Sequence, residues 1–342
     1  MTRYEQTLAS LKASPRRWLV TGVAGFIGSS LAEALLGAGQ TVVGFDNLTS
    51  GKTENLRLLQ ALGGSRFQLI EGDIRDAKAC LAACDGIDVI LHQAAQVSVP
   101  ASMVDPATTH DINTTGFLNV LVAAREHKVR RVVYASSCAV YGDSTALPLS
   151  EDQPVQPLSP YAMSKLANEV YAGAFCRSYG MTAVGLRYFN VFGPRQDPNG
   201  VYAAVIPLWA AAMIANREIQ IFGDGSTTRD FCYIANVVQA NLLAATSEFE
   251  TGSHEVFNVA AGGRTSLNEL FEMIRSELAP AFPHVEDFKP VYRDFRAGDI
   301  RHSQAEVAKA RRILGYDPVC SVAEGLREAL AWYRNAGKSV ED

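Results

Sequence analysis

The chain has 342 residues, 48% of them apolar, and a formal net charge of −5 at pH 7. This length exceeds one average hydrophobic core, so we expect two lobes, and the apolar content is ample for a buried parallel sheet. An acidic protein has no general attraction for a polyanion, which argues against nucleic acid as a partner.

The first stretch, residues 1–16, is polar and charged and precedes the first apolar run. It does not read as a signal peptide, and no later segment has the apolar length of a membrane span. The six cysteines show neither the CxxC spacing of a zinc site nor the density of a disulfide scaffold. The sequence therefore predicts an N-terminal extension on a cytoplasmic protein that has no metal site and no membrane partner.

Compact apolar runs alternate with helical stretches from Arg17 onward. WLVTG, TVVGFD, FQLIEGD, DVILHQAA, RVVYASS and TAVGLRYFNVFG have the character of buried strands, and GFIGSSLAEALLGAG has helical periodicity and ends in glycine. Repeated strand and helix of this kind indicates an α/β fold, with a Rossmann-like doubly wound parallel sheet.

The pattern becomes less regular after Gly193, which indicates a smaller mixed α/β lobe for a substrate. It contains the short strand EIQIFGDG and helices around 267–278 and 322–335, whereas DFCYIANVVQANLLAA reads as strand then helix and returns to the first lobe. The predicted first domain is 17–193 plus about 230–258. The predicted second domain is 194–229 and 259–342.

A glycine-rich turn follows the first predicted strand. Gly22, Gly25 and Gly28 allow a tight turn, a close backbone approach to a pyrophosphate, and close packing of helix on strand. The helix N-terminus at Phe26 and Ile27 supplies N–H groups to the anion. The alternative is an ordinary glycine-rich turn.

Asp46 ends the next strand, where its carboxylate can bind both ribose hydroxyls of adenosine and repel a 2′-phosphate. This placement favours NAD over NADP, although Asp46 could also simply open the turn DNLTSG. Asp73 is placed to face the adenine, and the small side chains of Ala94 and Ala95 leave room for the cofactor. The full predicted NAD-binding set adds Asn47, Ile74, Gln96, Asn113 and Tyr188, together with Tyr161 and Lys165.

Tyr161 is the only tyrosine with a lysine, Lys165, four residues later, and on a helix this spacing puts both on one face. A neighbouring ammonium and a nicotinamide cation both favour the phenolate, which could take a proton from a sugar hydroxyl. Ser137 lies just beyond a predicted strand, where open α/β sheets place ligands. We predict Ser137, Tyr161 and Lys165 as catalytic residues. The alternatives are a surface lysine and an ordinary loop serine.

Motifs spread over the chain resemble those of the extended short-chain dehydrogenases/reductases that act on nucleotide sugars. TGVAGFIGSSL, SSCAVYG, YAMSK, LRYFNVFGPRQDPNGVYAAVIP, IFGDGSTTRDF and FRAGDIRHS together are most similar to the bacterial UDP-N-acetylglucosamine 4-epimerases, from Trp18 to Tyr333. The resemblance implies that Tyr161 takes the proton of the sugar 4-hydroxyl and that NAD holds the C4 hydride transiently. The 4-keto sugar then rotates in the pocket, and the hydride returns to the opposite face of C4.

The resemblance also implies a UDP-sugar site. Tyr188 would lie near the nicotinamide, Asn190 at the diphosphate or sugar, Arg229 and Arg296 on the diphosphate, and Asp299 on the uridine ribose. The alternative for each of these charged residues is that it is an ordinary solvated residue on the surface. The predicted substrate-binding set is completed by Ser137, Val205, Gln220 and Ser303.

Ser303 occupies a position that borders the sugar pocket in related epimerases, where a large side chain excludes an N-acetyl group. Its small side chain favours N-acetylated substrates, whereas Cys138, Ala139 and Val97 depart from the acetamido-specific pattern. The same Cys138 and Ala139 disfavour a 4,6-dehydratase, which needs an acid and a base there, and a UDP-glucuronate decarboxylase, which usually has a glutamate.

The expected function is UDP-N-acetylglucosamine 4-epimerase in polysaccharide biosynthesis. The open alternatives are a 4-epimerase of UDP-glucose or of a uronic or N-acetylated uronic sugar, and an inactive regulatory protein that binds NAD and UDP-sugar. The resemblance further implies a homodimer that pairs two helices, roughly 115–127 and 161–179. Their apolar content fits either an interface or the core of the domain.

Overall fold

The computed structural model describes residues 1–199, 203–295 and 300–336. Its main strands are β1 (Arg17–Thr21), β2 (Thr41–Asp46), β3 (Phe67–Glu71), β4 (Val89–His92), β5 (Arg131–Ser137), β6 (Ala183–Tyr188) and, numbered in chain order, β11 (His254–Val259). Within the described residues these seven strands form one parallel sheet in the order β11–β6–β5–β4–β1–β2–β3. The direction of strand progression reverses between β1 and β4, which is where doubly wound sheets bind ligands.

Helices cover both faces of this sheet. They are α2 (Phe26–Gly37), α3 (Thr53–Gly63), α4 (Ala77–Ala83), α5 (Val99–Val104), α6 (Pro106–His110), α7 (Gly116–Glu126), α8 (Pro160–Tyr179) and α10 (Ile234–Thr246). Trp18 and Val20 of β1 point into the core with α2, α3 and α10, whereas Leu19 points into the core with α4, α7 and α8. This alternation, with apolar side chains on both faces, confirms the predicted Rossmann-like doubly wound sheet.

Strand β11 was not among the predicted strands. It pairs with β6 at the edge of the sheet, and its polar residues His254, Glu255 and Asn258 break the apolar run that marks the other strands. Together with α10, it brings part of the predicted return segment back to the sheet. The exact division of the chain into two domains stays a prediction.

The N-terminal extension forms a helix, α1 (Arg3–Ala13), that the composition did not reveal. Thr2 and Glu5 form a capping box at its start, and Leu11 is buried. Gln40 ties the end of α1 to the sheet, because its amide donates to the carbonyl of Leu11 at 2.7 Å and accepts from the indole of Trp18 at 3.1 Å. Helix α1 therefore packs on the first lobe, and the overlooked signal was the capping box.

The remaining elements build the smaller region. They are β7 (Val191–Phe192), α9 (Val205–Ile214), β8 (Gln220–Phe222), β9 (Thr228–Arg229), β10 (Cys232–Tyr233), β12 (Thr265–Ser266), α11 (Leu267–Leu278), β13 (Val291–Arg293), α12 (Ala308–Leu314) and α13 (Val322–Ala336). Three short strand pairs, β7–β10, β8–β13 and β9–β12, connect them. The helices predicted near 267–278 and 322–335 are α11 and α13. In the described parts of the chain, no helix is both long enough and apolar enough to cross a membrane.

Candidate active site

The turn between β1 and α2 is shaped by its glycines. Gly22 has φ +68°, and a Cβ there would lie 2.8 Å from the backbone nitrogen of Ala94. A Cβ on Gly28 would overlap the carbonyl oxygen of Gly22. The first turn of α2, at Phe26 and Ile27, has no acidic residue and no side-chain cap from the described residues. This helix start is therefore suited to bind a pyrophosphate through its backbone N–H groups.

Asp46 lies at the end of β2 beside this turn and is 9% exposed. Its two carboxylate oxygens accept hydrogen bonds from the backbone N–H of Ala24 at 2.9 Å and of Leu48 at 2.8 Å. The bond from Leu48 is the turn-opening role that the sequence left as an alternative. Each oxygen keeps a second lone pair, so the same carboxylate can also accept from ribose hydroxyls.

Asp73 follows β3 and is held by Arg75, a partner that the sequence analysis missed. The guanidinium donates two hydrogen bonds, at 3.0 and 2.8 Å, and Asn47 donates a third at 2.8 Å. The bond from Arg75 keeps the pKa of Asp73 well below its usual range. Asp73 is thus anchored at the predicted adenine end, whereas the adjacent Ile74 is buried in the core against Gly116.

Thr21, the last residue of β1, fastens the segment that follows β4. Its hydroxyl oxygen accepts from the backbone N–H of Gln93 and of Ala94, both at 3.1 Å, and lies 2.9 Å from Nδ1 of His92. Thr21 must therefore donate its own proton to His92, which places the imidazole proton on Nε2. Burial lowers the pKa of His92 to about 3, so this ring is neutral and structural.

Asn113 fastens the same segment from the other side. It lies in a π-helical turn, Asp111–Thr115. Its side chain accepts from the N–H of Gln96 at 2.7 Å and donates to the carbonyl of Gln96 at 2.9 Å and to Ser164 on α8 at 3.0 Å. Asn113 therefore joins Gln96 to the helix that carries Tyr161, and its visible role is to support the site. A contact with the cofactor stays a prediction.

The three predicted catalytic residues come together at the carboxyl end of β5. Ser137 ends that strand, Tyr161 and Lys165 lie in the first turns of α8, and the Ser137 side chain hydrogen-bonds Tyr161. The Nζ atom of Lys165 lies 5.9 Å from the centre of the Tyr161 ring and donates to the carbonyl of Ala135 at 3.0 Å. The start of α8 is fixed because the N–H of Tyr161 donates to Ser102 at 3.1 Å.

Burial dominates the ionisation of this group. It raises the pKa of Tyr161 to about 12, against the opposing effect of the Ser137 hydrogen bond. It lowers the pKa of Lys165 to about 8, so the ammonium is mostly charged at pH 7. The phenol therefore needs its local hydrogen bond and positive charge to act as a base.

Predicted substrate contacts lie beside Ser137. The side chain of Asn190 donates to the backbone carbonyl of Asp230 at 3.2 Å, and the N–H of Asn190 bonds the thiol of Cys138. Burial raises the pKa of Cys138 to about 11, and the charge of Arg229 opposes that rise. Cys138 is thus a neutral thiol at pH 7. It follows Ser137 in the chain and is close enough to Arg229, which is predicted to bind the diphosphate, to feel its charge.

Ser303 adjoins the strand that carries Arg229, since its N–H donates to the carbonyl of Thr228 at 3.1 Å. It is 7% exposed, and its hydroxyl is buried without a hydrogen-bond partner in the described parts of the chain. Val205 begins α9, and Gln220 on β8 is exposed and donates to Glu218 at 2.8 Å. The predicted ligands Arg296 and Asp299 lie outside the described residues.

Tyr188 ends β6, next to Ser137 in the sheet. Its hydroxyl donates to Gln93 at 3.2 Å and accepts from Asn241 at 2.8 Å, and burial raises its pKa. Tyr188 is therefore a buried link between the segment after β4 and α10. Its predicted place near the nicotinamide stays a prediction.

A dinucleotide fits at the switch point of the sheet. Three features support this: the glycine turn at Gly22–Gly28, the first turn of α2 without a side-chain cap in the described residues, and the Asp46 carboxylate. When bound there, NAD supplies the acceptor and donor of a hydride. The chain supplies a buried phenol, a serine that bonds it, and a lysine cation. These three side chains can take a proton from a substrate hydroxyl, or return it, while the carbon that bears the hydroxyl loses or regains a hydride.

Comparisons with known proteins agree with this chemistry. Residues 18–260 match the NAD dependent epimerase/dehydratase family. A UDP-glucose 4-epimerase of Mycolicibacterium smegmatis is 41% identical over 321 residues, which cover 93% of this chain and 99% of the relative. The motif-based resemblance to nucleotide-sugar epimerases is therefore confirmed.

Two solved structures extend the similarity to the fold. The UDP-N-acetylglucosamine 4-epimerase of Methanobrevibacter ruminantium, in complex with UDP-N-acetylmuramic acid, is 37% identical with a TM-score of 0.87, over 94% of this chain and 99% of that one. The UDP-glucose 4-epimerase of Thermus thermophilus, in complex with NAD, is 33% identical with a TM-score of 0.82, over the same 94% and 99%. The chain belongs to the NAD-dependent epimerase/dehydratase family and is an NAD-dependent nucleotide-sugar 4-epimerase.

Proposed function

We propose that the chain interconverts UDP-N-acetylglucosamine and UDP-N-acetylgalactosamine, with Ser137, Tyr161 and Lys165 as its catalytic residues. The observation that carries the choice of sugar is Ser303. Its side chain is small, and its buried hydroxyl lacks a protein partner in the described residues. A buried hydroxyl of this kind is costly unless something satisfies it, and the amide of an acetamido group can do so.

In the proposed mechanism the chain moves one proton and holds the sugar in two orientations. Tyr161 takes the proton of the 4-hydroxyl, directly or through Ser137, while Lys165 stabilises the phenolate. After loss of the C4 hydride, the 4-keto sugar turns over while Arg229 holds the diphosphate. The hydride would then return to the opposite face of C4 while Tyr161 gives the proton back to the oxygen, so no net oxidation occurs and no cofactor is consumed.

Neutral Cys138 supports an epimerase over a dehydratase. A 4,6-dehydratase needs an acid and a base beside the sugar, but Cys138 has a pKa of about 11 and Ala139 has no ionisable group. Neither residue exchanges protons readily near pH 7. The loop at residues 137–140, here called the serine loop, therefore offers only the proton chemistry that epimerisation needs.

UDP-glucose is the second candidate substrate, because the relative from M. smegmatis is named a UDP-glucose 4-epimerase. A small residue at position 303 also leaves room for a plain hydroxyl, so the two sugars can share one site. An N-acetylated uronic sugar is a third outcome that the same assay resolves.

We also propose a cytoplasmic homodimer that serves polysaccharide synthesis. Helix α8 exposes apolar side chains along its length, with Met163 53%, Val170 63% and Tyr171 38% exposed. Burial of such a stripe against a second copy would remove it from water. Light scattering after size exclusion should give twice the chain mass, and a Val170→Asp variant should be monomeric. A wild-type monomer would refute the dimer.

The test of function uses the purified protein without added cofactor. It is incubated separately with UDP-N-acetylglucosamine, UDP-glucose and UDP-N-acetylglucosaminuronic acid, and products are resolved by anion-exchange chromatography and proton NMR. We expect the acetamido hexose to give its 4-epimer at the highest kcat/KM. Faster conversion of UDP-glucose would transfer the assignment to that sugar, and no conversion after NAD is added would refute the proposed function.

A further inference from the structure

A buried ion pair lies directly behind the catalytic residues. Glu169 on α8 and Arg187 on β6 are 6% and 5% exposed. The guanidinium donates from Nε to Oε1 at 2.9 Å and from Nη2 to Oε2 at 2.8 Å, and the hydroxyl of Ser136 donates to Oε1 at 2.6 Å. One carboxylate therefore joins α8, β6 and β5 at a single point.

Each member of this cluster is adjacent to a part of the active site. Ser136 directly precedes Ser137 and is paired with Arg187 in the ladder between β5 and β6. Glu169 lies about one helical turn beyond Lys165 on the same face of α8. Because the two ends of the cluster lie on β5 and α8, it fixes how far the helix is displaced along the strand.

The same guanidinium also supports the far side of Ser137. Cζ of Arg187 lies 4.7 Å from the ring centre of Tyr141, in the 3₁₀ turn Cys138–Tyr141. The hydroxyl of Tyr141 donates to Asn258 on β11 at 2.7 Å. The serine loop is therefore anchored on both flanks, through Ser136 before it and through Tyr141 after it.

We propose that Glu169 and Arg187, acting through Ser136, are positioning residues that set the distance between Ser137 and Tyr161. The inference rests on the proposed catalytic roles of those two residues. A buried ion pair contributes little net stability compared with apolar packing of similar volume, because desolvation offsets its attraction. A bidentate arginine–carboxylate contact fixes orientation, which apolar side chains do not. The pair is therefore suited to alignment more than to stability.

The test separates alignment from stability with two variants. The double variant Glu169→Leu with Arg187→Met replaces both charges by apolar groups of similar size, and Ser136→Ala removes only the hydroxyl. We expect both to melt close to the wild-type protein and to keep KM within about threefold. We expect kcat to fall at least about tenfold in the double variant and roughly threefold to tenfold in Ser136→Ala, since small misplacements of reacting groups are costly.

A second readout needs no turnover. In hydrogen-exchange mass spectrometry of the protein without UDP-sugar, peptides covering 132–141 and 160–170 should exchange faster in both variants, while peptides from α2 should not change. The matched control is the double variant Lys309→Met with Glu255→Gln. It removes a partly exposed ion pair whose Nζ and Oε2 atoms lie 2.9 Å apart. The control should match the wild-type protein in kcat and in exchange at 132–141 and 160–170.

Two outcomes would overturn the proposal. One is wild-type kcat and exchange in both Ser136→Ala and the double variant. The other is a loss of melting temperature and of NAD binding in step with kcat, which would assign the pair to stability alone. Tyr161→Phe is measured in parallel: if it keeps wild-type turnover, the proposed catalytic roles fail, whereas the exchange data still decide whether the pair aligns α8 with β5.

Discussion

Lys165 is buried beside Tyr161, with its Nζ atom 5.9 Å from the centre of the phenol ring. Burial shifts their pKa values in opposite directions: the pKa of the lysine falls to about 8, and that of the tyrosine rises to about 12. Desolvation therefore disfavours the charged form of each. We therefore expect chemistry at neutral pH to require the lysine charge beside the phenolate, and this expectation can be tested one residue at a time.

Replacement of Tyr161 by Phe should remove the proton acceptor and leave the shape of the pocket. We expect kcat to fall at least about a thousandfold while UDP-sugar binding changes little. Turnover and calorimetric binding of UDP would measure the two effects separately. Tyr179→Phe is the control, since Tyr179 ends the same helix with 53% exposure and should keep full activity. Undiminished turnover in Tyr161→Phe would mean that another base acts.

Replacement of Lys165 by Met should stabilise the fold and damage the reaction. The folded pKa of about 8 lies below the ordinary 10.5, so at pH 7 the folded state carries a buried charge at a cost of up to about 3 kcal/mol. Between pH 8 and 10.5 the unfolded chain binds more protons, so this group makes wild-type stability rise with pH across that window. The variant should lose this rise and melt higher at pH 7.

Thermal unfolding at pH 7 and at pH 10, together with turnover at pH 7, would check the Lys165 prediction. Lys78→Met is the control, because Lys78 is exposed on α4 and should alter neither quantity. A Lys165→Met protein that is less stable than the wild-type protein at pH 7 would show that the bond from Nζ to the Ala135 carbonyl outweighs the desolvation.

Replacement of Gly28 by Ala should abolish NAD binding. The new Cβ would overlap the carbonyl oxygen of Gly22, so α2 must move away from β1 and its first turn would leave the pyrophosphate position. Gly37→Ala is a matched control on the same helix, since a Cβ there meets nothing within 4 Å. Bound NAD, measured in the purified proteins, should be absent in the first variant and unchanged in the second. If the Gly28→Ala protein retained NAD, the proposal that this glycine turn binds the pyrophosphate would be wrong.

How much of this site the sequence revealed depends on the range of each contact. The glycine turn, Asp46, and the pair Tyr161 and Lys165 were identified because a local spacing implies their chemistry. Thr21 was missed, since its partners lie on another strand and the loop after it, which no local pattern indicates. Arg75 was missed although its partner Asp73 is only two residues away, because two neighbouring opposite charges are equally typical of a solvated surface. Helix α1 and strand β11 were missed because polar residues interrupt their apolar signal.

The ion pair shows the same limit more clearly. Glu169 and Arg187 are 18 residues apart in the chain, on a helix and a strand that the sequence treats as separate elements. Each alone reads as a solvated charge, and burial of both becomes visible only when α8 packs on the sheet. Long-range pairing is thus the part of the site that spacing could not predict.

Replacement of Ser303 by Tyr should separate the candidate sugars. Ser303 is 7% exposed beside Thr228, so a phenol ring added there must enter the space proposed for the acetamido group. We expect turnover of UDP-N-acetylglucosamine to fall at least about a hundredfold, while UDP-glucose, which has only a hydroxyl at that carbon, keeps most of its kcat/KM. Ser303→Ala keeps the space and removes the hydroxyl, so it should lower the acetamido rate only about threefold to tenfold. Equal loss of both sugars in Ser303→Tyr would mean that position 303 does not select the N-acetyl group.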